Sequence, residues 1–246
     1  MDGQKPLILA LDTSTACCTL ALTSGTITQG GVLASLCLNG GMTHSRRLLT
    51  AIDWLFSETE LDWSMIDGLA VGLGPGSFTG LRIGLATAKG LAVTAGKPLT
   101  GVTTLDALAG NCRTPRLICA ALDARKREVY VAFYRADASG VPNRISEIIA
   151  VDPRKLMGMI GESVLIVGDG VLAYGEQWQT EGGDRVELAP VHLHYPSAAV
   201  IGLLGGLHLQ NNRTLDPTTA VPFYVRASDA ELSLQARHNQ ARGGGE

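Results

Sequence analysis

The stretch Gly72-Leu73-Gly74-Pro75-Gly76-Ser77-Phe78-Thr79-Gly80-Leu81-Arg82 decides how this chain is read. It follows the apolar run Leu69-Ala70-Val71 and leads into a segment with helical spacing. A strand, a tight glycine turn and a helix start are therefore expected in succession. Glycine lets the backbone come close to another group, and a helix N-terminus offers free N–H groups and the positive end of a dipole. Gly74, Pro75, Gly76, Ser77, Thr79, Gly80 and Arg82 thus form either an anion cradle or a turn that packs helix and strand closely. The loop lacks a Gly-Lys-Ser/Thr ending and does not fit Gly-x-Gly-x-x-Gly, so neither standard nucleotide fingerprint applies.

Outward from this loop, the preceding residues read as three strands and a helix. Leu7–Leu11 is a fully apolar strand, Thr19–Thr23 a second, and residues 30–38 a third, closed by Gly40-Gly41. A helix from about Thr43 to Ser57 carries Leu48, Leu49, Ile52, Leu55 and Phe56 at helical spacing. Asp67–Leu73 is a strand, Thr79–Ala95 a helix and Pro98–Val102 a strand, giving βββαβαβ. The helix from Thr79 is apolar nearly all round, broken only by Arg82, Thr87 and Lys89. Leu81, Leu85, Ala88 and Ala92 can face one sheet, but Ile83, Ala86 and Leu91 cannot join them there. A second layer or a partner must cover the surplus, so Leu49, Ile52, Ile83, Ala86, Thr87 and Leu91 are the expected partner surface.

The second half echoes the first. Leu7–Asp12 is matched by Leu117–Asp123, each ending in Asp and each followed by an apolar strand, the second being Val129–Phe133. Ile145–Val151 reads as the third strand of the second set. A duplicated lobe starting near residue 104 accounts for this; chance likeness of two buried strands is the alternative. A short helix near Pro153–Met159, a strand Val164–Val167 closed by Gly168-Asp169-Gly170, and a helix Ser197–Leu209 follow. The expected division is a lobe at 1–103, a reduced lobe at 104–230 and a polar, disordered tail at 231–246.

Composition narrows the function. Across 246 residues, Lys+Arg 20 against Asp+Glu 23 gives a formal charge of -3, which argues against a protein that grips nucleic acid unaided. Cys17, Cys18, Cys37, Cys112 and Cys119 contain no Cys-x-x-Cys pair and read as reduced, small hydrophobes. The five histidines share no ligand spacing with them, so no zinc site is expected. No apolar run approaches the ~18 residues of a membrane span, and the cytoplasm is the expected compartment.

Several motifs together resemble the bacterial TsaB (YeaZ) family. They are Ile8–Thr15, His44–Leu49, Gly72–Gly84, Lys89–Ala92, Asp123–Tyr130 and Pro222–Arg226, spanning residues 7 to about 230. The resemblance implies a two-lobed α/β fold of the actin/Hsp70/sugar-kinase type, with duplicated βββαβα lobes. It implies a non-catalytic subunit in the making of N6-threonylcarbamoyladenosine at position 37 of tRNA. The implied partners are the catalytic paralog TsaD, the ATPase TsaE and a second copy of the chain; tRNA is met only through the complex.

The catalytic paralog carries a metal-binding His-x-x-x-His turn after the strand at 98–102. Here those positions are Thr104 and Leu108, so neither that metal centre nor catalysis is expected. Kinases of this fold place a glycine-containing hairpin after each leading Asp. Asp12 is followed by Thr13-Ser14-Thr15, which keeps hydroxyls, whereas Asp123 is followed by Ala124-Arg125-Lys126-Arg127, without glycine. Arg125 and Lys126 either attract an anion or form a solvated turn. No cofactor is expected, with weak or partner-dependent nucleotide binding left open. His44 either touches a substrate or makes a local hydrogen bond; Asp12 is either a reactive carboxylate or the cap of its turn. The alternative function is an ATP-dependent phosphotransferase of the same fold. A metallopeptidase lacks any His-Glu-x-x-His support.

Overall fold

A computed structural model describes residues 5–39 and 44–225, the side chains of 44–47 excepted. The expectations for Gly40-Gly41, the His44 side chain and the 231–246 tail lie outside the described residues. The first sheet has the order β3-β2-β1-β4-β5, from β1 (Leu7–Asp12), β2 (Cys17–Ser24), β3 (Gly31–Asn39), β4 (Gly68–Gly72) and β5 (Leu99–Val102). β1 is antiparallel to β2 and parallel to β4, because a short hairpin joins the first pair and a helical crossover the second. That crossover contains α1 (His44–Thr59), and α2 (Phe78–Ala95) links β4 to β5.

The second sheet repeats the pattern. Its order is β11-β10-β6-β7-β8, with β9 also paired to β7. The strands are β6 (Leu117–Arg125), β7 (Glu128–Ala136), β8 (Pro142–Arg144), β9 (Ile149–Val151), β10 (Val164–Val167) and β11 (Val186–Leu188). Of the single third strand expected at 145–151 only β9 forms, and β8 precedes that span, the two short strands sharing one neighbour. β7 pairs with β8 through Tyr134–Ala136 and with β9 through Val129–Val131. α4 (Pro153–Leu156) precedes β10, and α5 (Gly170–Gly182) joins β10 to β11.

Both leading strands are buried on both faces, and their period of two sorts side chains into separate cores. On β1, Leu9 and Leu11 meet Leu48, Ile52 and Leu55 of α1 and Leu85 of α2. Ile8 and Ala10 point the other way, toward Ala198 and Ile201 of α6 (Ala198–Gln210). On β6, Ile118, Ala120 and Leu122 pack with Leu105 and Leu108 of α3 (Thr104–Gly110). Leu117, Cys119 and Ala121 meet Leu156 and Trp178. The two inner helices are exchanged: α3 follows the first sheet but covers the second, and α6 follows the second sheet but covers the first. The chain is therefore a two-lobed α/β fold with related sheets.

The cysteines correct the sequence reading. Cys18, Cys112 and Cys119 are free and buried, but Cys17 and Cys37 form a disulfide between β2 and β3, with Cα atoms 6.5 Å apart. Thr19 faces Cys37 and Cys17 faces Asn39, so the two cysteines are diagonal neighbours on one face of the sheet. A sequence separation of 20 conceals that proximity.

Candidate functional site

The glycine loop sits where the sequence places it, between β4 and α2, and it is docked on the turn after β1. A Cβ at Gly72 would fall on the Asp12 carboxyl, one at Gly76 on the Ser14 carbonyl, and one at Gly80 on the Thr13 carbonyl. Hydrogen bonds stitch the two turns together. Ser77 N donates to Ser14 O at 2.6 Å, and Thr13 Oγ1 donates to Gly80 O at 2.7 Å. Ser77 caps α2 by accepting from Gly80 N at 3.3 Å. The Gly74–Pro75 peptide is cis, and Gly74, at φ +106°, accepts from Thr104 N through its carbonyl at 2.8 Å. The close approach that the glycines permit is thus taken up by the chain's own Thr13–Ser14 turn.

Asp12 lies beneath this contact with no solvent exposure. Its Oδ1 accepts from Ser14 N at 2.9 Å and from Ser14 Oγ at 2.8 Å, so Asp12 caps its own turn. Oδ2 is buried without a partner among the described residues. Burial outweighs the two hydrogen bonds and pushes the Asp12 pKa up from 3.8 to about 6. Thr104 Oγ1 donates to Ser14 Oγ at 3.1 Å, while Leu108 packs into the second core. Among the described residues, no three His, Cys, Asp or Glu side chains gather as metal ligands.

The equivalent turn of the second lobe is open. Asp123 Oδ1 accepts from Arg125 N at 2.9 Å, and Asp123 N donates to Asp169 Oδ1 at 2.9 Å. Arg125, Lys126 and Arg127 are exposed, with φ of 63°, 52° and 62°. Left-handed backbone at three successive non-glycine residues is costly, about 1 kcal/mol or more at each. The loop between β10 and α5 packs on the preceding strand end, where a Cβ at Gly168 would fall on the Ala121 carbonyl, and leaves the Arg125–Arg127 tip of the turn exposed.

The expected partner residues divide. On α2, Leu81, Leu85, Ala88 and Ala92 are buried as expected, Ile83, Thr87 and Leu91 are half-buried, and Ala86 is exposed. Gly90 is exposed with open space around it, and Val93 is 66% exposed. On α1, Leu49 is 53% exposed, but Ile52 is only 1% exposed. Ile52 shares the inner stripe with Leu48 and Leu55, and it drops out of the surface. The sequence reading missed Trp54 and Val93, both exposed large apolar side chains. Trp54 lies off the apolar stripe of α1, and that displacement was the available signal.

A second omission is the segment after α6. Residues 216–225 lie along one side of α2 and the glycine loop. Phe223 N donates to Leu73 O at 2.8 Å, and Lys89 Nζ donates to Ala220 O at 3.0 Å. The Arg82 guanidinium stacks 3.8 Å from the Phe78 ring centre and reaches Tyr224 Oη at 3.3 Å. Arg82 is therefore held by its own chain, and the outer stripe left uncovered is Ala86, Gly90 and Val93.

Known proteins resemble this chain over most of its length. A family model described as TsaD, tRNA N6-adenosine threonylcarbamoyltransferase, matches residues 26–234. A Haemophilus influenzae protein named tRNA threonylcarbamoyladenosine biosynthesis protein TsaB is 40% identical over 235 residues, 91% of this chain and 94% of that one. The Bacillus subtilis protein of the same name is 27% identical, over 91% of this chain and 96% of that one. Among solved structures, YeaZ from Pseudomonas aeruginosa superposes with a TM-score of 0.72 at 28% identity, covering 89% of this chain and 99% of that one. With this likeness running through both lobes, the chain belongs to the TsaB (YeaZ) family.

Proposed function

We propose that this chain is a non-catalytic partner subunit in tRNA threonylcarbamoyladenosine biosynthesis. The observation that carries the reading is the outer stripe of α2. Ala86, Gly90 and Val93 are exposed and small or apolar, beside exposed Leu49 and Trp54 of α1. Such a face suits another helix at close range, because small residues let backbones approach and the apolar area leaves water. The occupant we assign is the catalytic paralog TsaD, with a second copy of the chain competing for the same face as a two-fold dimer. TsaE is the third component, tRNA is met only through the complex, and the compartment is the cytoplasm. On this reading the lobe at 1–103 is the partner lobe, and the lobe at 104–230 completes the fold.

The non-catalytic reading rests on chemistry at α3. The paralog's two metal-binding histidines correspond to Thr104, which bonds to Ser14, and Leu108, which is core. The first-lobe turn is closed by the glycine loop and the second-lobe turn carries no glycine, so nucleotide binding by this chain is weak or depends on the partner. The names of the relatives support the pathway. The test is reconstitution of the tRNA modification with each component left out in turn. Omitting this chain is expected to abolish modification, and the chain alone is expected to turn over no ATP. Steady ATP turnover on the order of 1 per second by the purified chain overturns the reading.

A further inference from the structure

Between the two lobes lies a cleft of about 580 Å3. That volume lies in the range of small-molecule sites, roughly 300–1,000 Å3. Its walls come from four elements: the end of β5 with the start of α3, the last turns of α6, the segment Arg213–Leu215, and β8. The cleft is preformed, because hydrogen bonds fix those elements. Leu215 N donates to Leu99 O at 2.7 Å, and Arg213 N donates to His208 O at 2.8 Å.

The lining has two characters. Leu73, Leu207 and Leu215 supply apolar wall. Facing them are Arg144, Arg213, His208 and Asp106. Asp106 is already engaged: it accepts from Tyr134 Oη at 2.8 Å, and Arg144 Nε stands 3.8 Å from it. That distance is too long for a charge-assisted hydrogen bond of about 2.8 Å. The Arg213 guanidinium has no hydrogen bond or ion pair among the described residues. His208 Nδ1 faces Gly101 O at 3.1 Å, and since a carbonyl only accepts, Nδ1 carries the proton. Nε2 is then a free acceptor on the neutral ring, which burial favours by holding the pKa below the usual imidazole value. Two guanidinium groups against one carboxylate leave one positive charge, with unused donors beside an apolar wall.

The geometry points to a binding site for a small organic monoanion, its apolar body against Leu73, Leu207 and Leu215 and its oxyanion head held by Arg213 and Arg144. A hydroxyl or N–H on such a ligand would meet His208 Nε2. The site is independent of the partner face on α1 and α2, and it needs no contribution from a second chain.

The probe for the test is 8-anilinonaphthalene-1-sulfonate, an aromatic body with one sulfonate. Its neutral counterpart is N-phenyl-1-naphthylamine. Both are titrated into the full chain and followed by backbone amide NMR. The sulfonate is expected to shift the amides of Gly101, Thr103, Arg144 and Thr214 saturably, and to bind about tenfold or more tighter than the neutral amine. Arg213→Glu is expected to weaken the sulfonate by about tenfold or more. Arg213→Gln and Arg144→Gln serve as milder variants, with the thermal midpoint reporting intact folding. The inference is overturned if saturable shifts are confined to the outer face of α1 and α2. Equal affinity for the two probes, or no saturable shift at these amides, also overturns it.

Discussion

Helices α2 and α5 hold the same place in the two lobes, each leading from the fourth strand of its sheet to the fifth, yet their outer faces differ. The exposed positions of α5 are Leu172 and Ala173 in its first turn and then Glu176, Gln179, Thr180 and Glu181, a mainly polar surface. Those of α2 include Ala86, Gly90, Val93 and Thr94. Propensity alone does not call for Gly90, which costs about 1 kcal/mol against alanine in a helix interior and where an added Cβ would meet open space. The same topology thus ends in a mainly polar face in one lobe and in a small, apolar face in the other. The inner ends differ in detail: α2 begins in a loop pressed onto a buried aspartate, and α5 in a loop packed on the Ala121 carbonyl beside an exposed basic turn.

The sharpest way to break that comparison is at the inner end of α2. Gly80→Ala places a methyl group on the Thr13 carbonyl, whereas Gly170→Ala, near the start of α5, brings one to 3.0 Å from the Ala121 carbonyl. Gly80→Ala is expected to cost about 3 kcal/mol or to prevent folding, and Gly170→Ala less, near 1 kcal/mol. Urea denaturation measures both. Equal costs would mean that the glycine loop is no more tightly seated than its counterpart.

Asp12 gives the next effect. Its folded pKa of about 6 stands above the unfolded 3.8, so the folded state holds the proton more tightly between those values. The Asp12 contribution to stability therefore falls as pH rises from about 4 to about 6, by roughly 3 kcal/mol at full displacement, and is flat above. Asp12→Asn is expected to remove that slope. An unchanged slope in Asp12→Asn assigns it to other groups.

Smaller effects separate the outer faces. Gly90→Ala is expected to stabilise the isolated chain by about 0.5–1 kcal/mol and to weaken its association with a partner, opposite signs from one methyl group. Ala173→Glu, on the exposed face of α5, is expected to change stability by less than about 0.5 kcal/mol and association not at all. Calorimetric unfolding together with a binding titration reads both variants. Gains in both stability and affinity for Gly90→Ala would remove the reason for a glycine there.

Much of this was legible in the sequence, for identifiable reasons. Runs such as Leu7–Leu11 are apolar throughout, and α1 and α2 repeat at helical spacing, so local pattern located them within a residue or two. α5 escaped notice because Gly170, Gly175 and Gly182 dilute its pattern, and the burial of Trp178 and Val171 anchors it instead. The third strand of the second lobe was seen as one because its two short pieces pair with the same neighbour. At the site, the glycine loop was recognised, but its occupant was not. The Ser77–Ser14, Arg82–Tyr224 and Cys17–Cys37 contacts join residues far apart in the chain. Ile52 belongs to the stripe of α1 that faces β1 and Leu49 lies outside it, a division that the apolar spacing alone does not make.

The central claim is that the outer stripe of α2 is the face by which this chain joins its partner. The most direct measurement is the affinity of Ala86→Glu for the catalytic paralog, by calorimetry, beside Ala173→Glu as control. The account predicts that Ala86→Glu folds normally, since Ala86 is exposed, and loses about 100-fold or more in affinity through an unpaired buried carboxylate. Unchanged affinity in a normally folded Ala86→Glu would contradict it and move the interface elsewhere.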